Sequence, residues 1–240
     1  MPKYSVKLSQ RTAVAEGTVA FYFDKPSGFE FKAGQFLDVT LLDPPETDAE
    51  GNSRAFSIAS APGESHLMVA TRMRDSAFKR VLGKLPIGSE VQIEGPFGNL
   101  ILHNNAARPA VLLAGGIGIT PFRSILFRAA AEQLPHRLFL FYSNRRPEDA
   151  AFLAELQSLR TQNANYTLVD TMTGLSPGSH PWSGETSRVS KEMLTQYLGD
   201  LNGPIYYVAG PPGMVGDMQK LLNSCGVNDD DIRPEEFGGY

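Results

Sequence analysis

The sequence predicts an antiparallel β-barrel followed by a doubly wound α/β domain with a parallel sheet. Up to about residue 104, short β-branched and aromatic runs alternate with turn residues, which is typical of antiparallel sheets and barrels. From about residue 108 onward, strand-like and helix-like segments alternate, which indicates βαβ crossovers. The 240 residues suffice for two domains of ordinary size. We therefore expect one domain at residues 1–104 and a second at 105–240.

The first half contains six strand-like segments and one short helix-like segment. Strands are expected at residues 4–8, 19–24, 36–42, 56–59, 67–71 and 90–94. The helix is expected near residues 76–82, where Ser76 is of the residue type that caps helix N-termini. Residues 43–53 are rich in proline, glycine and acidic side chains, which predicts an exposed loop.

The second half contains four strand-like and four helix-like segments. Strands are expected at residues 110–114, 137–142, 166–171 and 205–209, and helices at 121–133, 147–159, 191–198 and 213–223. Ligands of such parallel sheets bind beyond the carboxyl ends of the strands. Candidate binding residues should therefore follow these strands directly.

Composition excludes several classes of function. The net charge of −4 does not suggest a protein whose main partner is nucleic acid. A single cysteine, Cys225, excludes an internal disulfide and an iron–sulfur cluster held by four thiolates of this chain. The four histidines lack metal-ligand spacing, so no metal site is expected. The N-terminus has no signal-like apolar core and no apolar run could span a bilayer, so we expect a cytoplasmic protein.

Two glycine-containing turns follow predicted strands of the second half. Gly115, Gly116 and Gly118 follow the first strand, with Thr120 expected as helix N-cap and Pro121 as the first helical residue. Gly210, Pro211 and Met214 follow the last predicted strand in the same way. Glycines let backbone N–H groups approach a ligand, and a helix N-terminus attracts a phosphate. Together the two turns favour a phosphate-bearing ligand over a purely structural connection.

One strand of the first half carries a cation, an aromatic ring and a hydroxyl in close succession. Arg54 can pair with a diphosphate, Phe56 can stack on a flat heterocycle, and Ser57 can hydrogen-bond a ring nitrogen. Taken alone, an exposed arginine on a half-buried strand is the simpler interpretation. Residues 72–84 add a local basic patch, which is either a solvated face or a cofactor or docking face.

The motifs at 54–57, 95–98, 115–121, 209–214 and 235–237 occur in an order that resembles the ferredoxin–NADP reductase superfamily. The resemblance covers nearly the whole chain. It implies an FAD-binding antiparallel barrel followed by a nicotinamide-nucleotide domain. It further implies hydride transfer from NAD(P)H to flavin N5, and then delivery of single electrons to a carrier.

The resemblance also implies a role for each matching residue. Arg54 would contact the FAD diphosphate, Phe56 would stack on the isoalloxazine and Ser57 would hydrogen-bond N5. The remaining flavin-binding candidates are Ile58, Ala70, Thr71, Arg72, Ser76, Ala77 and Phe78. The nicotinamide nucleotide would be received by Gly115, Gly116, Gly118, Thr120 and Pro121, and bordered by Gly210, Pro211 and Met214.

The carboxyl-terminal residues supply the remaining catalytic candidates beside Ser57. Glu235 would be the carboxylate near the flavin, and either Phe237 or Tyr240 would cover the outer flavin face. The glycines between these two aromatic residues would suit a lid that leaves when nicotinamide enters, although a disordered terminus is an equal alternative. Ala209 stands where many relatives have a cysteine, so efficient hydride transfer does not follow from the resemblance.

The choice of nucleotide and of electron acceptor stays open at this stage. Ser143, Arg145 and Arg146 follow the second strand of the nucleotide half and favour NADPH mildly, since arginine there accommodates a 2′-phosphate. The expected acceptor is a ferredoxin, a flavodoxin or an oxygenase component, because the chain cannot hold its own cluster. The alternatives are a reductase of free flavin and a non-catalytic flavin-binding subunit.

Overall fold

The computed structural model describes residues 2–175 and 182–238, and its first sheet contains six antiparallel strands. These are β1 (Lys3–Ala15), β2 (Thr18–Asp24), β3 (Phe36–Leu41), β4 (Ser53–Ser57), β5 (His66–Arg72) and β6 (Glu90–Phe97), in the spatial order β4-β3-β6-β1-β2-β5. Alternate residues of β3 and β6 are buried, as expected for strands with one face on a core. The sheet is barrel-like but not closed, although Ala59 just past β4 donates to the Met68 carbonyl of β5 at 2.7 Å. Helix α1 (Ala77–Lys84) follows β5.

The second sheet contains five parallel strands with helices between them. The strands are β7 (Ala110–Gly115), β8 (Leu138–Asn144), β9 (Tyr166–Met172), β10 (Ile205–Gly210) and β11 (Ile232–Glu236). The helices are α2 (Ile119–Ala131), α3 (Leu153–Leu159), α4 (Lys191–Leu198) and α5 (Pro212–Ser224). Every residue of β7 and β10 is buried, as expected for central strands of a parallel sheet. This architecture confirms the predicted fold class.

The strand order β11-β10-β7-β8-β9 places the two glycine-containing turns side by side. Strands β7, β8 and β9 follow one another in one direction, whereas β10 and β11 lie on the other side of β7. The order therefore reverses between β7 and β10, and ligands of such sheets bind at that switch point. The carboxyl ends of β7 and β10 are Gly115 and Gly210, so both turns border it.

Several elements differ from the sequence-based prediction. Strand β1 is far longer than 4–8, because Leu8–Ala15 pairs with β2 through two irregularities in register. Strand β11 was not predicted, since an edge strand tolerates the proline and charges of its sequence. The helix expected at 147–159 is divided into a 3₁₀ turn and α3, because Phe152 adopts a left-handed backbone (φ 61°) and buries its ring. Strand β4 ends at Ser57 rather than at residue 59.

Arg123 of α2 connects the two sheets at their junction. Its guanidinium, 5% exposed, donates to the Ala59 carbonyl and to Glu64 on the first-domain side, at 2.9 and 3.0 Å. It also donates to Glu155 of α3 at 2.8 Å. A buried charge is tolerated only when it is paired and hydrogen-bonded, and these three partners satisfy that condition. The junction is therefore held by a specific polar contact as well as by apolar packing.

Candidate functional site

The glycines after β7 let two strand ends approach each other closely. Gly116, at φ 53°, opens a 3₁₀ turn that leads directly into α2. A Cβ on Gly118 would lie 2.1 Å from the Ala209 carbonyl oxygen of β10. A Cβ on Gly115 would lie 3.2 Å from both Met214 Sδ and Pro211 Cδ. Gly118 requires glycine because its backbone packs against that of β10, whereas a Cβ at residue 115 would only require the neighbouring side chains to shift slightly.

The expected roles of Thr120 and Pro121 in starting α2 are wrong. The helix begins at Ile119 with Gly118 as its N-cap residue, so Pro121 is its third residue rather than its first. Thr120 is buried, and its hydroxyl donates to the Ile117 carbonyl at 3.0 Å instead of capping the helix. The glycine backbone already turns into the helix, and Pro121 remains acceptable since the first amides of a helix lack intrahelical partners.

A cleft of about 560 Å³ opens at the carboxyl ends of β7, β8 and β10. Of the predicted nucleotide-binding residues it is lined by Gly115, Gly116, Ser143, Arg145, Pro211 and Met214. Arg72 and Arg74 of the first domain also line it, so the cleft reaches the domain junction. Gly118, Thr120, Pro121 and Gly210 do not line the cleft, although Gly118 and Gly210 lie where β7 and β10 approach each other closely.

The arginines near this cleft differ in whether their guanidinium groups already have partners inside the protein. Arg145 and Arg188 line the cleft, and no hydrogen bond or ion pair engages either guanidinium within the described part of the chain. Arg146, which was expected to act with Arg145, does not line the cleft and binds Asp149 and Glu16 at 2.9 and 3.0 Å. Sequence reasoning missed Arg188, because the segment between β9 and α4 contains no motif that points to it.

Arg54, which is predicted to bind the diphosphate, and Ala77, a predicted flavin-binding residue at the start of α1, both contact one carboxylate. Arg54 Nη2 donates to Asp48 Oδ1 at 2.7 Å, and the Ala77 amide at the start of α1 donates to Asp48 Oδ2 at 3.2 Å. Arg54 Nε also lies 3.1 Å from Glu50. The Arg54 guanidinium holds the pKa of the Asp48 carboxyl below its usual range. A cation and a helix N-terminus that share one anion are chemically suited to a phosphate group.

Ser76 is confirmed as the N-cap of α1, where its side chain accepts from the Lys79 amide at 3.2 Å. The Phe78 ring lies near the predicted flavin side chains, 5.8 Å from the centroid of Phe56 and 5.3 Å from the Arg54 guanidinium carbon. On β5, Ala70 and Thr71 are buried and Arg72 is half-buried. Ile58 is fully buried, and its amide donates to the Gln35 carbonyl at 2.9 Å, so its side chain serves the barrel core.

Strand β11 brings the carboxyl-terminal candidates back to β4. Ser57 Oγ donates to Glu235 Oε1 at 3.4 Å, a contact between the two domains. Burial raises the pKa of the Glu235 carboxyl to about 7, and the weak bond from Ser57 opposes that rise only in part. The Phe237 amide donates to the Gly210 carbonyl at 2.9 Å, and its half-buried ring packs beside the second-domain core. Tyr240 lies outside the described residues.

Among residues 2–175 and 182–238, no three His, Cys, Asp or Glu side chains lie close enough together to hold a metal ion. Within the same ranges, no helix combines the length and the apolar character needed to cross a membrane.

Comparison with known proteins identifies the second domain. Residues 112–220 match the family described as the oxidoreductase NAD-binding domain. This range begins in β7 and ends within α5, so it contains both glycine-containing turns and most of the cleft lining.

Similar curated proteins include reductase components of oxygenases. The chain is 25% identical over 239 residues to terephthalate 1,2-dioxygenase reductase component 2 of Comamonas sp, covering 98% of this chain and 68% of that protein. It is 27% identical over 224 residues to the glycine betaine monooxygenase reductase subunit of Chromohalobacter salexigens, covering 92% and 60% respectively. The chain spans about half to two thirds of the length of the curated relatives it matches.

Solved structures share the whole two-domain fold. A ferredoxin NADP⁺ reductase from Neisseria gonorrhoeae with bound FAD and NADP superposes with a TM-score of 0.79 at 23% identity, covering 98% of both chains. The flavohem-like FAD/NAD binding domain of nitric oxide dioxygenase from Vibrio cholerae gives 0.82 at 17% identity, again covering 98% of both. The chain thus shares the two-domain fold of these proteins, and its residues 112–220 match the oxidoreductase NAD-binding domain family.

Proposed function

We propose that the protein is an FAD-dependent oxidoreductase that takes hydride from NAD(P)H and passes single electrons to a partner protein. One observation carries this proposal. The cleft at the strand ends of the second domain is completed by Arg72 and Arg74 of the first domain, beside the strand that carries Ser57. A nucleotide in that cleft would therefore reach the surface where β4 and β5 would hold a flavin.

The first domain would hold FAD through residues that fit each of its parts. Arg54 and the Ala77 amide already share one anion, so they suit the diphosphate. Phe56 would face the ring system, and Ala70, Thr71 and Arg72 would border the nucleotide. FAD, when bound, would accept a hydride and release electrons one at a time.

Ser57 and Glu235 would supply proton chemistry at the junction. With a pKa of about 7, the Glu235 carboxyl exchanges its proton near neutral pH, where an acid with an ordinary pKa is fully ionised. Ser57 donates to Oε1 of this carboxyl and fixes its position against β4. Phe237, two residues beyond Glu235, would cover the flavin, and its backbone bond to Gly210 places it next to the nucleotide turn.

We propose NADPH as the preferred donor. Arg145 directly follows β8, the second strand of the parallel sheet, where an arginine accommodates the 2′-phosphate and a carboxylate would bind the ribose of NAD. Arg188 follows β9, the next strand outward, and lines the same cleft. Both guanidinium groups lack protein partners within the described residues, so both are available to a phosphate.

The partner is proposed to be a separate electron-accepting protein: a ferredoxin, a flavodoxin or an oxygenase component. Relatives named as reductase components of oxygenases support this choice. The basic patch at residues 72–84 is smaller than its sequence suggests, because Arg80 pairs with Glu46 and Asp75. A cytoplasmic location is part of the same proposal and can be checked by cell fractionation.

A reductase of free flavin is the second candidate function. The contacts of Arg54 with Asp48 and Glu50 favour it, because carboxylates that hold the diphosphate-binding cation weaken the retention of a flavin. Such an enzyme would bind flavin as an exchanging substrate rather than as a resident group.

The visible spectrum of the purified protein separates these functions. We expect a retained yellow flavin that bleaches when NADPH is added anaerobically, and bleaches more slowly with NADH. A colourless protein that reduces added flavin would favour the second candidate. A retained flavin that neither nucleotide bleaches would contradict both functions and indicate a non-catalytic flavin-binding subunit.

A further inference from the structure

The acidic loop, residues 43–52, lies against the groups that would bind the flavin diphosphate. Four of its ten residues are acidic, namely Asp43, Glu46, Asp48 and Glu50, and none is basic. Asp48 Oδ1 accepts from Arg54 at 2.7 Å and from the Glu50 amide at 3.1 Å, while Oδ2 accepts from the Ala77 amide at 3.2 Å. One carboxylate thus contacts both the cation and the helix start.

Other contacts hold the acidic loop in this position. Glu46 binds Arg80 of α1 through two bonds of 3.1 and 2.7 Å. Glu50 pairs with Arg54 at 3.1 Å. The Gly51 amide donates to the Asp48 carbonyl at 2.9 Å, which closes a tight turn around the carboxylate. The loop therefore places a negative charge on Arg54 in a defined geometry rather than by chance contact of a single side chain.

We propose that the acidic loop is an internal competitor for the diphosphate of FAD, and that loading the flavin requires Asp48 to leave Arg54 and the start of α1. This inference rests on the proposed function, since it assumes that Arg54 holds a diphosphate. A diphosphate and the Asp48 carboxylate are both anions, and like charges that share one cation repel each other. Release of Asp48 frees Arg54 Nη2 and the Ala77 amide for the diphosphate, while Glu50 stays at Arg54 Nε.

The exchange has a distinctive dependence on salt. In the wild-type protein the flavin replaces the ion pair between Arg54 and Asp48 by another, so screening weakens both states and the net salt dependence is small. In Asp48→Asn, binding forms an ion pair without breaking the one to Asp48, so added salt should weaken flavin binding more steeply. The asparagine side chain keeps the size of aspartate and can still accept from the Glu50 amide.

Titration of FAD into the full-length protein stripped of flavin, followed by quenching of flavin fluorescence, tests the proposal. We expect Asp48→Asn to bind FAD about tenfold more tightly than wild type, the size of one charge-assisted contact. Asp43→Asn is the matched control: it removes the same charge from the same loop, and asparagine tolerates the φ of 42° there. Asp43 has no hydrogen-bond or ion-pair partner among the described residues.

Equal affinities of Asp48→Asn and wild type would overturn the proposal, and so would an equal gain in Asp43→Asn, which would indicate a general charge effect. If none of the proteins bound FAD, the proposed function itself would fail, and this inference with it. Binding by all of them with no effect of residue 48 would remove the inference alone.

Hydrogen exchange of the wild-type protein gives a test that needs no variant. Amides of residues 46–52 should exchange faster after FAD is loaded, because the loop loses its contacts with Arg54 and α1. Unchanged or slower exchange would show that the loop stays in place and would overturn the proposal.

Discussion

The arginine on the flavin side of the candidate site and those in the nucleotide cleft differ in whether protein carboxylates already pair with them. On the flavin side, Arg54 is 18% exposed and is held by Asp48 and Glu50. In the nucleotide cleft, Arg145 and Arg188 have no such partner within the residues that the structure describes. Both groups have the chemistry to bind phosphate, but only the first must give up a bond inside the protein to do so.

This difference between paired and unpaired arginines suits two kinds of ligand, a cofactor that stays bound and a donor that exchanges. A donor that enters and leaves in every catalytic cycle is served best by cations that need no prior rearrangement. A cofactor that is loaded once can tolerate a slower exchange with an internal carboxylate. The predictions below separate the two sides, so that one can be impaired while the other is left intact.

The largest effect is expected from Gly118→Ala, which acts on the cleft alone. The new methyl group would lie 2.1 Å from the Ala209 carbonyl and force the ends of β7 and β10 apart. Overpacking against a fixed backbone should lower the free energy of unfolding by about 3 kcal/mol and abolish nucleotide binding, with flavin still bound. Denaturant titration and binding of 2′,5′-ADP measure both effects.

Gly216→Ala is the control for that substitution. Gly216 lies inside α5, and a Cβ there meets nothing within 4 Å. Alanine should raise the free energy of unfolding by about 0.5–1 kcal/mol, since glycine is a poor helix former. Equal stability of the two variants would contradict the close approach described for Gly118.

Arg54→Ala should impair the flavin side alone. Loss of a charge-assisted contact of about 1.5–3 kcal/mol corresponds to a tenfold to hundredfold loss of FAD affinity. Flavin content after gel filtration and fluorescence titration measure it, while binding of 2′,5′-ADP should not change. Arg128→Ala, which removes an arginine paired with Glu132 on α2, should keep its flavin.

Glu235→Gln tests the partly buried carboxyl that lies between the two sides. Because the pKa rises to about 7 on folding, the folded state binds a proton more tightly than the unfolded state, and wild-type stability falls as the pH rises from about 4.5 to 7. At pH 8 the glutamine variant should be more stable than wild type by about 2–3 kcal/mol, with the gain vanishing below pH 4.5.

The measurement for Glu235 is denaturant unfolding at pH 4.5, 6 and 8. Glu236→Gln, a change at its exposed neighbour, should follow wild type at each pH. A constant offset of Glu235→Gln at every pH would mean that its effect does not come from titration of the carboxyl.

The smallest effect is expected in the cleft from Arg145→Ala and Arg188→Ala. Each should raise the KM for NADPH about tenfold by removing a contact with the 2′-phosphate, and leave the KM for NADH unchanged. Arg146→Ala is the matched control, because Arg146 binds Asp149 and Glu16 instead of the cleft. Equal increases in the KM for both nucleotides would indicate that these arginines contact a part of the molecule that NADH and NADPH share.

Local patterns predicted most of the fold. Short β-branched and aromatic runs between turn residues located β2, β3, β5 and β6, and strand-like runs alternating with helix-like ones located β7 to β10. Strand β11 was not predicted, because Pro234 and its charged neighbours give it no apolar pattern. Only its pairing with β10 makes it a strand. The interruption of the predicted helix at Phe152 was also missed, because the conformation of one residue divides an otherwise helical sequence.

The sequence predicted the parts of the candidate site whose backbone is determined by a motif. It did not predict which partners the long charged side chains bind. The sequence indicated Gly115, Gly116 and Ser143, which line the cleft. It could not show that Arg146 turns away to Asp149, or that Arg188 from an unremarkable loop points to the same cleft. Nor could it show that Asp48, in a loop predicted only as exposed, binds Arg54.

Arg123 touches none of the proposed ligand-binding residues, yet it has a consequence for the whole chain. Because its guanidinium is bonded to Ala59 and Glu64 of the first domain as well as to Glu155 of its own, separating the domains would remove two of its three partners. Unfolding of either domain would therefore also remove stabilising contacts from the other domain. The protein should therefore melt in one cooperative calorimetric transition, in spite of its two separate sheets.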